Sequence, residues 1–264
     1  MAASAAAKFV IPPSSSSIVV YRGKKVWDGL EVYKGGAALL TEDNVMVIAD
    51  LHLGCEAALE YDGLAIPRVQ TKRIGDYISD IVKSVGPRNL VVAGDLKHNF
   101  SRNLNQEWSD VSKFAKRLKE TVPLSVVKGN HDNYLGYILG ELGIQLTRET
   151  TVSDTRIIHG HTGELSERST IMGHIHPSLS VRDEVGARLK SPCFLCDPAR
   201  RILVLPSLSL LAGGVDVATQ TYADSISPLL SKDGLGRFIP IVFSGESALT
   251  FPSVERLRKA GKGV

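Results

Sequence analysis

Side chains of the kind that bind metal ions follow apolar runs at five places in the chain. The first run, Val45–Ile48, leads directly to Asp50 and His52. Four later runs end in the same way, at Asp95, at residues 129–132 (GNHD), at His159 and at residues 173–176 (GHIH). All seven histidines lie in or beside these endings, at positions 52, 98, 131, 159, 161, 174 and 176. A single Asp after a strand is usually a turn or cap residue, but five such endings predict one shared site.

The chemistry of this set favours transition-metal ions. Two carboxylates, an amide oxygen and several imidazoles form a mixed N/O environment that suits Mn, Fe, Zn, Co or Ni and is poor for Mg or Ca alone. The set is too large for one ion, whereas two divalent ions about 3.5–4 Å apart, bridged by a carboxylate and a hydroxide, would use it fully. Two such ions supply four positive charges, and Asp50, Asp95 and hydroxide subtract three. The remaining positive charge would attract a phosphate ester.

The elements between these endings predict an α/β fold. Strands are expected at residues 45–50, 89–95 and 123–130, with helices over 67–85 and 105–121 between them. This β-α-β-α-β order predicts a parallel sheet. From Thr150 on, short apolar strands with few helical patterns predict a second, more antiparallel sheet, including a hairpin turn at residues 197–200. We therefore expect a single domain with two sheets and flanking helices.

Composition and the chain ends restrict the class further. The chain has 264 residues, 43% apolar content and a net charge of +3, and its pI of 8.7 is below the value of about 9 that would itself suggest nucleic-acid binding. Three cysteines fit a reducing compartment, and no apolar run approaches the roughly 18 residues of a membrane span. Residues 1–27 are expected to be a flexible tail, with an organelle transit peptide as the alternative to cytoplasmic location. The domain is expected over 28–252 and a frayed basic tail over 253–264.

The motifs resemble a known family. DLH, GD, GNHD, a lone strand-end His and GHIH, in this order, look like the five-part signature of the calcineurin-like metallophosphoesterases. The surrounding ADLHLGCE, GDLKHNF, SPCFL and LPSLSLLAGGVDV resemble more narrowly the archaeal SbcD-related phosphoesterases and the bacterial phosphoesterases associated with DNA ligase and a helicase. The resemblance implies a four-layer α/β/β/α sandwich of two mixed sheets. It also implies two divalent metal ions, with Mn²⁺ favoured.

The family pattern assigns roles to individual residues. It implies that Asp95 bridges the two ions and that His131 is the general acid for the leaving alkoxide, with Asp132 orienting it. A bridging hydroxide would attack phosphorus in line. The other ligands implied are Asp50, His52 and His176 for the first ion, and Asn130, His159 and His174 for the second.

Three residues beside the motifs, Lys97, His98 and His161, could either contact the substrate or hold the ligands from behind, and the sequence leaves this open. The family's second motif often continues GDxxD or GDxxN, but here it reads GDLKH, which leaves open what Lys97 and His98 contact. His159 is preferred as the ligand because it ends its apolar run, with His161 behind it. Cys193 and Cys196 have the spacing of half a zinc site, but without a second pair they are expected to pack in strands.

The function expected is that of a phosphodiesterase acting on nucleic acid or a nucleotide. The alternatives are a phosphomonoesterase, including a phosphoprotein phosphatase, and a non-catalytic scaffold with the same fold. A DNA-repair partner on a separate chain is implied only by the family resemblance. No membrane partner is expected.

Overall fold

A seven-stranded sheet forms the first half of the fold. The structure, a computed structural model, describes residues 20–98, 105–182 and 186–260. The strands lie side by side in chain order, antiparallel from the first to the fourth and parallel from the fourth to the seventh. They are β1 (Lys24–Trp27), β2 (Leu30–Tyr33), β3 (Ala37–Leu40), β4 (Val45–Ile48), β5 (Asn89–Ala93), β6 (Leu124–Val127) and β7 (Gln145–Thr147).

The second, third and fourth of the five helices described pack on one face of this sheet. The helices are α1 (Cys55–Tyr61), α2 (Gln70–Val85), α3 (Asn105–Thr121), α4 (Leu135–Glu141) and α5 (Val254–Ala260), with a 3₁₀ turn at Thr221–Ser225. Helix α2 buries Ile74, Ile78 and Ile81 at helical spacing. It ends at Gly86, whose left-handed backbone (φ 68°) is the usual stop for a helix. Within the described residues, no helix has the length and apolar character needed to cross a membrane.

A second seven-stranded sheet packs against the first. Its order is β17-β16-β13-β14-β10-β9-β8, and it is mixed because β9, β10 and β14 are parallel while the other pairs are antiparallel. A separate three-stranded sheet has the order β12-β11-β15. The strands are β8 (Glu149–Val152), β9 (Thr155–Ile158), β10 (Ser169–Met172), β11 (Pro177–Arg182), β12 (Arg188–Pro192), β13 (Phe194–Asp197), β14 (Ile202–Val204), β15 (Val215–Asp216), β16 (Ile239–Ser244) and β17 (Ser247–Thr250).

Three apolar clusters define four layers. One cluster lies between α2, α3, α4 and the first sheet, where Ile48 and Val92 meet Ile78. A second lies between the two large sheets, where Val47 meets Ile171. The third lies on the outer face of the second sheet, under α5 and the loops around it. The predicted α/β/β/α sandwich of two mixed sheets is therefore confirmed.

The structure differs from the sequence-based expectations in four places. Residues 24–27, expected in the tail, form β1 because they pair with β2. Residues 254–260, also expected to fray, form α5, which is anchored by the buried Val254. Helices α1 and α4 were not predicted. The remaining parts of both predicted tails, 1–19 and 261–264, lie outside the described residues.

Both cysteines of the CxxC spacing pack in the core, Cys196 in β13 as expected and Cys193 between β12 and β13. Cys193 and Cys196 are buried and unpaired, and they face different apolar clusters on opposite sides of the second sheet. Side chains on opposite faces of a strand cannot ligate one ion.

Candidate metal centre

Strand ends from both large sheets meet at one edge of the two-sheet core. Within the first sheet, the backbone N–H of Asp50 donates to the carbonyl of Gly94 (3.1 Å), which holds the ends of β4 and β5 together. Within the second, the N–H of Gly173 donates to the carbonyl of His159 (3.1 Å). The residues brought to this edge are Asp50 and His52 after β4, Asp95 after β5, Asn130 and His131 after β6, His159 after β9, and His174 and His176 after β10.

Asp50, His52 and His176 form one group of converging ligand atoms. The Nε2 atoms of His52 and His176 are 3.2 Å apart. The Nε2 of His176 is 3.5 Å from Oδ1 of Asp50. Asp50 and His52 are buried, whereas the side chain of His176 is 16% exposed and forms the open side of the group.

Asp95, His159 and His174 form a second group. The Nε2 of His159 lies 3.3 Å from Oδ2 of Asp95 and 2.9 Å from Oδ1 of Asn130. Asn130 therefore joins this group as a candidate ligand through its amide oxygen.

Asp95 stands between the two groups. Its Oδ2 is 3.3 Å from His159 on one side and 3.8 Å from Nε2 of His52 on the other. Its Oδ1 accepts a hydrogen bond from the backbone N–H of His131 (2.9 Å), which fixes the carboxylate plane. This carboxylate has the position expected of a bridging ligand.

Five of these residues have left-handed backbone conformations. The φ angles are 57° at Asp50, 47° at His52, 49° at Asp95, 71° at His174 and 49° at His176. Such conformations cost about 1–2 kcal/mol each for a residue with a Cβ. Strained residues persist only where surrounding contacts hold them, and they concentrate at functional sites.

Glycines let these strained turns approach one another closely. A Cβ on Gly173 would lie 2.6 Å from Oδ2 of Asp50 and 2.8 Å from Cβ of Ala49. A Cβ on Gly129 would collide with the backbone N and carboxylate of Asp95. The glycine in each of these motifs therefore makes room for a ligand from a different strand.

Burial and charge set the protonation of the site. Burial lowers the pKa of His52 to about 3 and that of His174 to about 4. Burial also opposes the charged form of His159, but its hydrogen bond to Asp95 and the charges of Asp50 and Asp95 raise its pKa to about 9. Burial raises the pKa of Asp95, but the imidazoles of His159 and His52 more than reverse this and hold it below its usual range. His159 therefore carries a proton between two carboxylates, at a place where a cation is electrostatically favoured.

Comparisons with known proteins agree with this geometry. The family model described as calcineurin-like phosphoesterase matches residues 44–176, just over half of the chain. The chain belongs to this family. Calcineurin-like phosphoesterases are dinuclear metal-dependent enzymes, and membership supports assignment of the protein as a phosphoester hydrolase. Among curated proteins, none matches.

Two solved structures are similar to this chain to different degrees. Nuclease MPE of Pseudomonas putida has a TM-score of 0.61 and 18% identity, over 84% of this chain and 96% of that chain. The phosphoesterase Yfce of E. coli has a TM-score of 0.35 and 16% identity, over 62% of this chain and 79% of that chain. At such identities the first of these supports the calcineurin-like fold alone.

The donor set fits the two ions that a calcineurin-like phosphoesterase requires. Two ligands bound to one ion at about 2.1 Å are about 3.0–3.4 Å apart when their bonds meet at right or tetrahedral angles. The separations of 3.2, 3.5 and 3.3 Å within the two groups are close to this range. Oδ1 of Asp50 is buried, with no hydrogen-bond donor among the described residues. The carbonyl of Ala93 accepts the Nδ1–H of His159 (3.1 Å), which leaves Nε2 free to ligate.

His131 lies beside the two groups, but Asp132 does not orient it. The side chain of His131 is 29% exposed, and its Nε2 is 4.0 Å from Oδ2 of Asp95. Its Nδ1 lies 2.5 Å from the carbonyl oxygen of His98. The carboxylate of Asp132 is buried and accepts the N–H groups of Gly129 (2.8 Å) and Lys97 (3.2 Å) instead. The expected orienting role of Asp132 is therefore wrong: the acceptor is a backbone carbonyl, and Asp132 fixes the two motif loops.

The three unassigned residues lie around the site at different depths. Lys97 is 3% exposed, which disfavours direct contact of its ammonium group with substrate. The ring of His98 lies 5.4 Å from that of His52 and stacks at 5.9 Å on that of His131. The ring of His161 is 5.1 Å from that of His159 and 6.0 Å from that of His174, behind the second group.

Sequence reasoning missed the residues that hold the first group from behind. Gln70, Ser207 and Ser209 hydrogen-bond to the backbone of His52 and Asp50. The resemblance of the LPSLSLL segment to related phosphoesterases was a signal for the two serines. Gln70 had none, because a Gln at the start of an amphipathic helix is unremarkable by type.

Proposed function

We propose that the protein is a two-metal-ion phosphodiesterase whose substrates are nucleic acids or nucleotides. The observation that carries this proposal is the position of the Asp95 carboxylate between two ligand groups, with the exposed imidazole of His131 beside it. The fold likeness to a nuclease favours a nucleic-acid substrate. Mn²⁺ is the ion we propose, and a DNA-repair partner and cytoplasmic location stay predictions.

The ligand assignment follows the two groups. Asp50, His52 and His176 would hold one ion and Asn130, His159 and His174 the other, with Asp95 shared. When bound, the ions would supply a nucleophile at neutral pH and stabilise negative charge on the phosphoryl oxygens.

His131 would supply the proton for the leaving group. A carbonyl oxygen only accepts, so the contact with His98 places a proton on Nδ1 of His131. Nε2 is then the atom that carries the second proton and passes it to the leaving alkoxide as the P–O bond breaks. General acid catalysis of this kind contributes about 10²–10⁴-fold in rate.

The test compares esters that differ in leaving group and in charge. With Mn²⁺ present, we expect hydrolysis of bis(p-nitrophenyl) phosphate to exceed that of p-nitrophenyl phosphate. Asp95→Asn should abolish both activities. His131→Asn should slow a dinucleotide, which has a poor leaving group, far more than a p-nitrophenyl ester, whose leaving group needs no proton. Asp62→Asn, a change to an exposed acid outside the site, is the matched control.

A substrate panel then identifies the ester class. Single-stranded DNA, duplex DNA, RNA, cyclic dinucleotides and phosphopeptides would be compared with Mn²⁺. Turnover of phosphopeptides alone would refute the nucleic-acid proposal and favour a phosphoprotein phosphatase. An equal effect of His131→Asn on good and poor leaving groups would refute its role as general acid.

A further inference from the structure

Gln70, the first residue of α2, lies behind the first ligand group and is 1% exposed. Its Nε2–H donates to the carbonyl oxygen of His52 (2.9 Å). Its Oε1 accepts three hydrogen bonds, from the hydroxyl of Ser209 (2.9 Å) and the backbone N–H groups of Leu210 (3.1 Å) and Leu211 (3.2 Å). Three of the four partners are backbone groups of fixed role, so they define which end of the amide is which.

The position of Gln70 is itself fixed by a buried carboxylate. Oε1 of Glu56, in α1, accepts the backbone N–H groups of Val69 (2.9 Å) and Gln70 (2.5 Å). These are N–H groups at the first turn of α2, which no helical carbonyl can satisfy. Glu56 is 4% exposed, so the start of α2 is held by a buried, charge-assisted pair of bonds.

His52 depends on its backbone contacts for its orientation. Its φ of 47° is strained for a residue with a Cβ. Its Nδ1 is buried without a hydrogen-bond partner among the described residues, whereas metal-ligating histidines usually donate their second ring nitrogen. The carbonyl is held by Gln70 and, more weakly, by the N–H of Cys55 (3.3 Å). The amide of Gln70 is therefore the shortest contact on that carbonyl.

The segment that Gln70 holds also contacts Asp50. The carbonyl of Asp50 accepts the hydroxyl of Ser207 (2.7 Å) and the N–H of Ser209 (3.1 Å). Residues 207–211 lie beyond the 44–176 range that matches the family model. Two strained ligands of one ion are thus held by one segment and one side chain.

We propose that Gln70 is a positioning residue for the first ion. It holds His52 in its left-handed conformation and ties it to residues 207–211, so the affinity of this ion depends on an amide that touches neither metal nor substrate. The inference rests on the proposed function, because it requires that Asp50, His52 and His176 bind an ion.

The test is Mn²⁺ binding by equilibrium dialysis with metal analysis, which needs no turnover. The wild type should bind two ions. Two variants remove the contact: Gln70→Met keeps the side-chain length, and Gln70→Glu keeps the acceptor but loses the donor to His52. Each should lower the affinity for one ion by about 10–100-fold and leave the affinity for the other unchanged. Ser209→Ala should weaken the same ion by a smaller factor. The ion retained should have the affinity and electron paramagnetic resonance spectrum of the ion retained by His176→Asn.

A destabilisation control separates positioning from general loss of stability. Ile74→Val removes a buried methyl group four residues along α2 and costs about 0.5–1.5 kcal/mol without touching His52. It should bind both ions as the wild type does. If Gln70→Met fails to fold, Gln70→Glu decides.

Three results would overturn the inference. Wild-type affinities for both ions in the Gln70 variants would overturn it and leave the proposed function standing. An equal loss of affinity for both ions would show that Gln70 supports the fold in general and does not position the first ion. A wild-type protein that binds fewer than two ions would overturn the proposed function and this inference together.

Discussion

Gly173→Ala is expected to damage the metal centre while leaving every ligand in place. The new Cβ would lie 2.6 Å from Oδ2 of Asp50, and ordinary contacts there begin near 3.4 Å, so the carboxylate would have to withdraw by 3.4 − 2.6 = 0.8 Å. Asp50 and Ala49 are both at 0% exposure, so neither can yield by moving into solvent. A shift of this size exceeds the tolerance of about 0.2 Å for a metal–ligand distance.

The expected magnitudes follow from this overlap. Overpacking of this kind costs about 1–3 kcal/mol of the free energy of unfolding. Strain on the hydrogen bond from the His174 N–H to Asp50 (2.9 Å) adds to it, since a bond to a charged group is worth about 1.5–3 kcal/mol. We expect a loss of about 2–5 kcal/mol in all and a first-ion affinity about 10–100-fold lower.

The assay measures urea unfolding of protein whose metal has been removed by a chelator and, separately, the binding of Mn²⁺. Gly140→Ala is the control. Gly140 lies in α4 with nothing within 4 Å of a Cβ placed there, so alanine should stabilise the helix by about 0.5–1 kcal/mol. If Gly173→Ala unfolds at the wild-type midpoint and binds both ions normally, the carboxylate of Asp50 is not held by this close approach. The reasoning about the motif glycines would then be wrong.

Three further predictions concern protonation, metal and thiols. In protein whose metal has been removed by a chelator, His159 has a pKa of about 9, against about 6.5 in the unfolded chain. Its contribution of about 3 kcal/mol to the free energy of unfolding is therefore present below pH 6.5 and is lost as the pH rises through 9. Urea midpoints that stay level from pH 7 to 9.5 would contradict this. Mn²⁺ at 100 times its Kd should stabilise the protein by about 2.7 kcal/mol per site, and a melting temperature unchanged by chelator would contradict it. Burial raises the pKa of Cys55 and Cys196 to about 11 and that of Cys193 still further. At pH 8 the native protein should therefore react slowly with Ellman's reagent, whereas all three thiols of the urea-unfolded protein should react. Fast labelling of the native protein would contradict this.

The ligand positions were readable from the sequence because parallel strands present their ends at one edge of a sheet. Asp50, Asp95 and Asn130 each follow an apolar run, and β4, β5 and β6 are adjacent in the sheet. His159 and His174 belong to the other sheet. The repetition of metal-binding side chains at five strand ends, together with the motifs, predicted that the two edges meet.

The role of Asp132 could not be read from its position. His131 and Asp132 are adjacent, and a carboxylate next to an imidazole is typical of a catalytic pair. The turn of the backbone directs Asp132 back to the N–H of Gly129, three residues earlier. Burial then raises the pKa of Asp132 to about 6. Sequence adjacency says nothing about which way two neighbouring side chains turn in a loop.

The contacts behind the first group were equally invisible, because they join distant parts of the chain. Gln70 is 139 residues from Ser209 and lies in no motif, and the resemblance of the LPSLSLL segment did not indicate which residue its serines would contact. The left-handed backbone at five ligands is also beyond a reading by residue type, since Asp and His adopt it more often than other residues with a Cβ but still in a small minority of cases. The neighbouring glycines were the only local indication.

The tie between Gln70 and residues 209–211 sets an order of events during synthesis. Asp50 and His52 leave the ribosome early, and Gln70 follows His52 by 18 residues. Ser207, which holds the carbonyl of Asp50, is made 157 residues after Asp50, and His176 is made 124 residues after His52. At about 5–20 residues per second, these two ligands wait on the order of ten seconds for their partners. Through that interval a nascent chain carries an incomplete first site, so all three ligands of this ion are present only after His176 has been translated.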